Sequence, residues 1–236
     1  MKSLYTRMPV SGRNPNSSFL PVQATHHFIM TTPAWLVSYN ALSSIAWFSV
    51  LVLATSYPEA QPQFFQDTQA YVRLVQTFAI VEVYNSLVGN VRSPVFTTAV
   101  QVASRLLVVW GVFYVLPNSP ANTHWAYITL CLSWSITEII RYGYYALNIV
   151  TEGNPPKFLT WLRYNTFLVL YPTGVGSEVT ILFKSLDEAE RVVGAWYKYL
   201  FIAILATYIP GFYMLFSYML KQRGKTLKKL SPKKEK

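Results

Sequence analysis

From Ala34 to Ser56 the sequence contains no charged residue. A run of that length and apolarity matches the roughly 20 residues that a helix needs to cross the hydrocarbon core of a bilayer. Five further apolar stretches follow, at about Tyr71–Val91, Val95–Leu116, Trp125–Val150, Phe158–Phe183 and Ala195–Leu220. With their connections they use nearly all of the 236 residues and leave no room for a separate soluble domain. Only 13% of residues are charged, against about 25% in ordinary soluble domains. The expected fold is therefore an all-α integral membrane protein, a bundle of six transmembrane helices. Residues 1–33 read as a polar N-terminal tail, 34–220 as the membrane domain and 221–236 as a basic C-terminal tail.

The charges between the stretches give an orientation. Lys2, Arg7 and Arg13 precede the first stretch with no acid among them, and Glu59 and Asp67 follow it with no base. Arg92 lies between the second and third, and Lys157, with Arg163 just beyond, precedes the fifth. The connection after the fifth leans acidic, with Lys184, Asp187, Glu188, Glu190 and Arg191. Basic segments alternate with non-basic ones, which places both termini in the cytosol. The net charge of +10 comes largely from the tail after Leu220, so it marks a membrane orientation rather than a nucleic-acid partner. Asn16-Ser17-Ser18 is a glycosylation acceptor pattern that a cytosolic tail would leave unmodified, and Lys233-Lys234 near the C-terminus resembles a dilysine signal for return to the endoplasmic reticulum.

Several chemistries are excluded. Cys131 is the only cysteine, so no intrachain disulfide and no cysteine-based zinc site can form, and His26, His27 and His124 are too scattered for a metal site. The sequence has no phosphate-binding glycine loop, no HExxH, no G-x-S-x-G and no dinucleotide fingerprint, so no metal or organic cofactor is expected. A thiol phosphatase requires Arg six residues after its nucleophile, and six residues after Cys131 stands Thr137.

Charges inside the apolar stretches are the candidates for function, because each costs about 2.5–3.5 kcal/mol at a helix centre on insertion scales and calls for a partner. In the fourth stretch Glu138, Arg141, Tyr142 and Tyr145 recur at i, i+3, i+4 and i+7 and share one helix face. Glu138 and Arg141 read either as an ion pair within the helix or, in a functional reading, with Arg141 as a phosphate or carboxylate binder. The fifth stretch carries Tyr171-Pro172-Thr173-Gly174-Val175-Gly176-Ser177-Glu178. Pro172 favours a kink, and Gly174 and Gly176 permit close approach by a neighbouring helix. Tyr171 and Glu178 lie about two turns apart on nearly the same face, roughly 10 Å along the axis. A carboxylate and a phenol are suited to moving protons at a hydroxyl or beside a carbonyl. The alternative makes Tyr171 a packing residue and pairs Glu178 with a buried arginine such as Arg105.

Ordered motifs from about Gln76 to Gln222 carry a specific resemblance. They are Gln76-Thr77-Phe78-Ala79 with Glu82, Val91-Arg92-Ser93-Pro94 and Gln101-Val102-Ala103-Ser104-Arg105. Trp134 to Tyr142, Arg163-Tyr164-Asn165, Leu170 to Glu178 and Tyr208-Ile209-Pro210 complete the set. In these the chain resembles the membrane 3-hydroxyacyl-CoA dehydratases of very-long-chain fatty-acid elongation, once described as protein-tyrosine-phosphatase-like. The resemblance implies a six-span protein of the endoplasmic reticulum membrane, a lyase that removes water from a (3R)-3-hydroxyacyl-CoA to give a trans-2-enoyl-CoA. It places the catalytic tyrosine and glutamate at Tyr171 and Glu178. It also implies work beside a condensing enzyme, a ketoreductase and an enoyl reductase.

On this reading Glu178 is the base at C2 and Tyr171 acts on the departing hydroxyl, with the reverse assignment open. Arg105, Glu138, Arg141 and Tyr142 form a buried supporting network. Arg92, Lys157 and Arg163, near the cytosolic face, are candidate contacts for the phosphates of CoA. The competing reading is a catalytically silent scaffold or adaptor of the elongation machinery with the same fold. A small transporter is a third reading, disfavoured by the lack of an inverted repeat.

Overall fold

The computed structural model describes residues 34–57, 61–91 and 93–230. Asn16, Glu59, Arg92 and the Lys233-Lys234 pair lie outside these, so the expectations resting on them have no structural counterpart. Among the described residues the chain is helical throughout, with no strand. The order is α1 (Ala34–Ser56), α2 (Gln63–Thr77), α3 (Ile80–Leu87) and α4 (Val95–Leu106), which runs on as a π-helical segment (Leu107–Tyr114). Then come α5 (Trp125–Val150), α6 (Lys157–Asn165), α7 (Phe167–Lys184), α8 (Leu186–Val192) and α9 (Ala195–Leu230).

Among the described residues three helical stretches are long and apolar enough to cross a membrane: Ala34–Ser56, Val95–Tyr114 and Ala195–Lys228. The pair α6 and α7 makes a fourth if it is counted as one span bent by 43°. The other two stretches read from the sequence are helical but of different character. α5 has 26 residues, enough length, yet its buried polar face lowers its apolarity. The second stretch divides into α2 and α3 at Phe78–Ala79, each too short to span alone. The carbonyl of Phe78 at this break accepts a hydrogen bond from the Tyr39 hydroxyl at 3.1 Å, so the interruption leaves that group satisfied.

Two further departures have local causes. Pro172 does not end α7, which runs through it. The bend falls at Thr166, where the Thr166 hydroxyl and the Asn165 amide donate back to the carbonyls of Leu162 and Trp161 at 2.9 and 2.8 Å. Such side-chain bonds compete with the helical ladder. α9 continues ten residues past Leu220, because the lysine-rich segment beyond it still favours helix although it is no longer apolar. Arg223 ties this extension to α6 by donating from Nε to Asn165 Oδ1 at 3.0 Å.

α5 is the central helix. α1 lies along it, α7 packs on another side, and α9 packs against α7. The core between them holds Trp47 and Val50 of α1, Val72 of α2, Val108 and Val112 of the π-helical segment, Leu130 and Trp134 of α5, and Ile181 of α7, all nearly inaccessible. At one end Phe64, Phe65, Phe113 and Tyr127 cluster with ring centroids 5.0–5.4 Å apart, Phe65, Phe113 and Tyr127 meeting edge to face and Phe64 tilted against Tyr127. The Tyr127 hydroxyl meets Thr68 Oγ1 at 2.9 Å, so this buried phenol is satisfied. On the outside, Leu42, Ile45, Phe48, Ile209 and Tyr213 are exposed, Ile209 by 80%. An apolar surface of this kind suits lipid rather than water.

A charged network joins three helices in the middle of this bundle. Arg141 of α5 holds Glu82 of α3 in a bidentate pair, with NH1 and NH2 donating at 2.5 and 2.6 Å. Arg141 Nε donates to Glu138 Oε2 at 2.7 Å, one turn back on the same helix. Arg105 of α4 donates to the other oxygen of Glu138, and Tyr142 donates to Glu82. Two arginines and two glutamates thus balance. Arg105, Glu138, Arg141 and Tyr142, singled out from the sequence, come together here. Glu82 joins them as a member that spacing alone did not reveal, because it sits on a different helix.

Removing one partner from such a set strands a buried charge, which costs about 3–5 kcal/mol. Glu82→Ala is therefore expected to destabilise the detergent-solubilised protein by about that amount, measured as a large drop in thermal unfolding midpoint. A second expectation concerns the contact of α9 with the π-helical segment. Tyr197 donates to the Gly111 carbonyl at 3.0 Å, and a Cβ at Gly111 would stand 2.7 Å from the Tyr197 oxygen. Gly111→Ala should destabilise by about 1–3 kcal/mol through this overlap. Gly176→Ala, where a Cβ meets nothing within 4 Å, should be close to neutral in the same unfolding measurement.

Candidate active site

Glu178 and Tyr171 both lie on α7. Two neighbouring helices define their surroundings. A Cβ at Gly174 would lie 3.6 Å from Ser133 Cβ and 3.9 Å from Trp134 Cδ1. Both are ordinary van der Waals distances, so α7 packs directly on α5 here, and Ser177 Oγ meets Thr129 Oγ1 at 2.7 Å across the same seam. The close approach anticipated at both glycines holds at Gly174 only, since Gly176 faces open space.

This seam brings the Glu178 carboxylate against Trp134. The indole Nε1 donates to Glu178 Oε1 at 3.0 Å. From the other side the Tyr208 hydroxyl of α9 donates to Oε2 at 2.7 Å. Glu178 is only 7% exposed, so these two neutral donors replace most of its hydration. Among the described residues no arginine forms an ion pair with it. Arg105, the partner considered from the sequence, is engaged by Glu138 instead. It reaches Glu178 indirectly: its guanidinium lies over the Trp134 ring at 5.7 Å, and the same indole holds the carboxylate.

Tyr171 is half-buried, and its hydroxyl has no hydrogen-bond partner among the described residues. Its ring stacks on Phe212 of α9 with centroids 5.3 Å apart and planes 18° from parallel. Phe216 continues the stack at 5.3 Å from Phe212 and 11°. The ring is thus held flat by apolar packing while its polar end remains available. Tyr171 also lies within electrostatic range of Glu178. The site therefore pairs a fixed buried carboxylate with an unengaged phenol, an arrangement able to take a proton at one atom of a bound molecule and give one at another.

The remaining residues singled out from the sequence are spread apart. Arg141 has its donors committed to Glu82 and Glu138, so it is not open to a phosphate or carboxylate ligand. Arg163 lies 4.6 Å from the ring centroids of both Tyr144 and Tyr145 and donates to the Tyr145 hydroxyl at 3.0 Å. Lys157 is exposed in the first turn of α6. Arg92 lies outside the described residues. Two groups touching Glu178 stand in the motifs quoted from the sequence but received no role there. Trp134 carried a signal, since it precedes Glu138 by one turn on the same face. Tyr208 stands in the last of those motifs, but no spacing links it to Glu178, because it is thirty residues away on another helix and only packing brings it near.

The family model described as "Protein tyrosine phosphatase-like protein, PTPLA" matches residues 76–229. A relative from Schizosaccharomyces pombe, named "Probable very-long-chain (3R)-3-hydroxyacyl-CoA dehydratase", is 43% identical over 207 residues, covering 85% of this chain and 96% of its own. A Caenorhabditis elegans protein, "Very-long-chain (3R)-3-hydroxyacyl-CoA dehydratase hpo-8", is 38% identical over 221 residues, 87% of this chain and 100% of its own. "Very-long-chain (3R)-3-hydroxyacyl-CoA dehydratase 1" of Mus musculus is 32% identical over 212 residues, covering 82% and 73%. No solved structure gives a significant match. With a helical bundle that places Glu178 beside Trp134 and Tyr208, and with motifs matched across most of its length, the chain belongs to the protein tyrosine phosphatase-like PTPLA family.

Proposed function

We propose that this protein is a hydro-lyase that dehydrates very-long-chain (3R)-3-hydroxyacyl-CoA to trans-2-enoyl-CoA in fatty-acid elongation, with Glu178 and Tyr171 as its catalytic pair. The curated relatives bear dehydratase names over most of this chain's length. The observation that carries the assignment of the pair is a contrast between carboxylates. Glu82 and Glu138 are neutralised by arginines. Glu178 is buried like Glu138 but held only by an indole and a phenol. A carboxylate locked in an ion pair is a poor base, whereas one held by neutral donors keeps lone pairs able to accept a proton.

In the reaction Glu178 takes the proton at C2, which the thioester acidifies. The C2 electron pair forms the double bond to C3, and the C3 hydroxyl departs with a proton from Tyr171 as water. Return of the proton from Glu178 to the Tyr171 oxygen restores both groups. The acyl chain lies among the spans and the CoA phosphates stay at the cytosolic face. Six crossings with both termini cytosolic, in the endoplasmic reticulum membrane, accommodate this, and the condensing enzyme, ketoreductase and enoyl reductase of the cycle are its working partners. We assign the phosphate contacts to Arg92, Lys157 and Arg163. Exposed Lys157 is the most accessible of the two described, since tyrosine rings enclose Arg163.

Purified protein should turn over a long-chain 3-hydroxyacyl-CoA, and Glu178→Gln and Tyr171→Phe should each lower kcat by about 10²–10⁴-fold with folding intact. Full turnover by Glu178→Gln rules out the base. For the phosphate contact, Lys157→Gln should raise KM several-fold and leave kcat unchanged, and an unaltered KM removes Lys157 from the site.

A further inference from the structure

α7 by itself cannot set the geometry of the pair. Tyr171 and Glu178 are separated by about 10 Å of helix rise, and both side chains have rotamer freedom about their own axes. Both are met by one face of α9. Tyr208, Phe212 and Phe216 stand at i, i+4 and i+8 on that helix, one above the other. The first donates to Glu178 at 2.7 Å, and the other two form the stack on which the Tyr171 ring lies. We propose that this face of α9 is the positioning element of the reaction, with Tyr208 as the residue that orients the Glu178 carboxylate toward substrate.

The inference rests on Glu178 acting as a base and deepens that reading. Trp134 fixes one carboxylate oxygen from α5 and Tyr208 fixes the other from α9, so the carboxylate is held from two sides while its backbone belongs to α7. Each oxygen keeps a second lone pair, so the bonds set direction without consuming the basic site. Without Tyr208 the carboxylate keeps a single donor and can swing about it. Tyr208 approaches no substrate atom in this role and acts through Glu178. The alternative is that its hydroxyl merely satisfies a buried acceptor and holds α9 to α7.

The test compares Tyr208→Phe with wild type and Glu178→Gln, using a long-chain 3-hydroxyacyl-CoA for turnover and the trans-2-enoyl-CoA product for binding. A positioning role predicts that Tyr208→Phe lowers kcat by about 10–100-fold. It also predicts KM within about twofold of wild type and unchanged stoichiometry and Kd for the enoyl-CoA, by the same one-bond argument. Unchanged kcat overturns the proposal. So does a loss of kcat that follows a matching loss of product-binding stoichiometry, which marks a merely structural role. If Tyr208→Phe does not fold, 3-fluorotyrosine at this position keeps the packing and alters only the donor. It should move the acid limb of the pH–kcat profile, and an unmoved limb overturns the proposal. Glu178→Gln separates the two readings: full turnover there defeats the base assignment itself, whereas its loss together with wild-type kcat in Tyr208→Phe defeats only the role of α9.

Discussion

The ion network of Glu82, Arg105, Glu138 and Arg141 is the constraint on which the rest of the bundle depends. In an apolar surrounding none of these charges is tolerable alone, so the helices that carry them must meet in one arrangement. Arg141 supplies three donors and ties α3 to α5, and Arg105 brings α4 to the same place. Hydrophobic packing in lipid is permissive about rotation, since one apolar face is much like another. A fork of guanidinium donors on two carboxylates is not, and it sets which side of α5 faces inward.

That orientation leads directly to the site. With Glu138 and Arg141 turned toward α3 and α4, Trp134 on the same face of α5 lies under Arg105 and presents its indole N–H to α7. α7 packs against α5 at Gly174, and Glu178 accepts that N–H. Structural charge and candidate catalytic charge are therefore neighbours of different kinds. The first set is neutralised and closed. Glu178 is partnered but not neutralised, and Tyr171, two turns away on the same helix, keeps its hydroxyl unengaged among the described residues.

The helices themselves are uneven. α1 is continuous and uncharged, while the α2–α3 and α6–α7 segments are broken and α9 runs to 36 residues. At about 1.5 Å per residue α9 measures roughly 54 Å, well beyond a hydrocarbon core of about 30 Å, so its basic end must leave the apolar layer. Its link to Asn165 at the α6–α7 break joins that basic end to the start of the helix that carries Tyr171 and Glu178.

The helical class, the limits of α1 and α5, and the residues worth attention on α5 and α7 could be read from the sequence, because uncharged length and helical spacing are local properties. Glu138, Arg141 and Tyr142 shared a face whatever they touched. The breaks at Phe78 and Thr166 were not legible, since neither carries a proline and both depend on which side chains capture the freed backbone groups. The choice of partner was not legible either. Arg105 was as suitable for Glu178 as for Glu138 on charge alone, and only the tertiary arrangement that brings its guanidinium to Glu138 decided between them. Tyr208 and Glu82 complete their clusters across 30 and 59 residues of sequence, where no spacing rule operates. The sequence by itself determined which groups could not remain unpaired in an apolar bundle; the tertiary structure alone decided which partner each one met, because pairing depends on helix rotation and approach, and these are set by contacts between segments far apart in the chain.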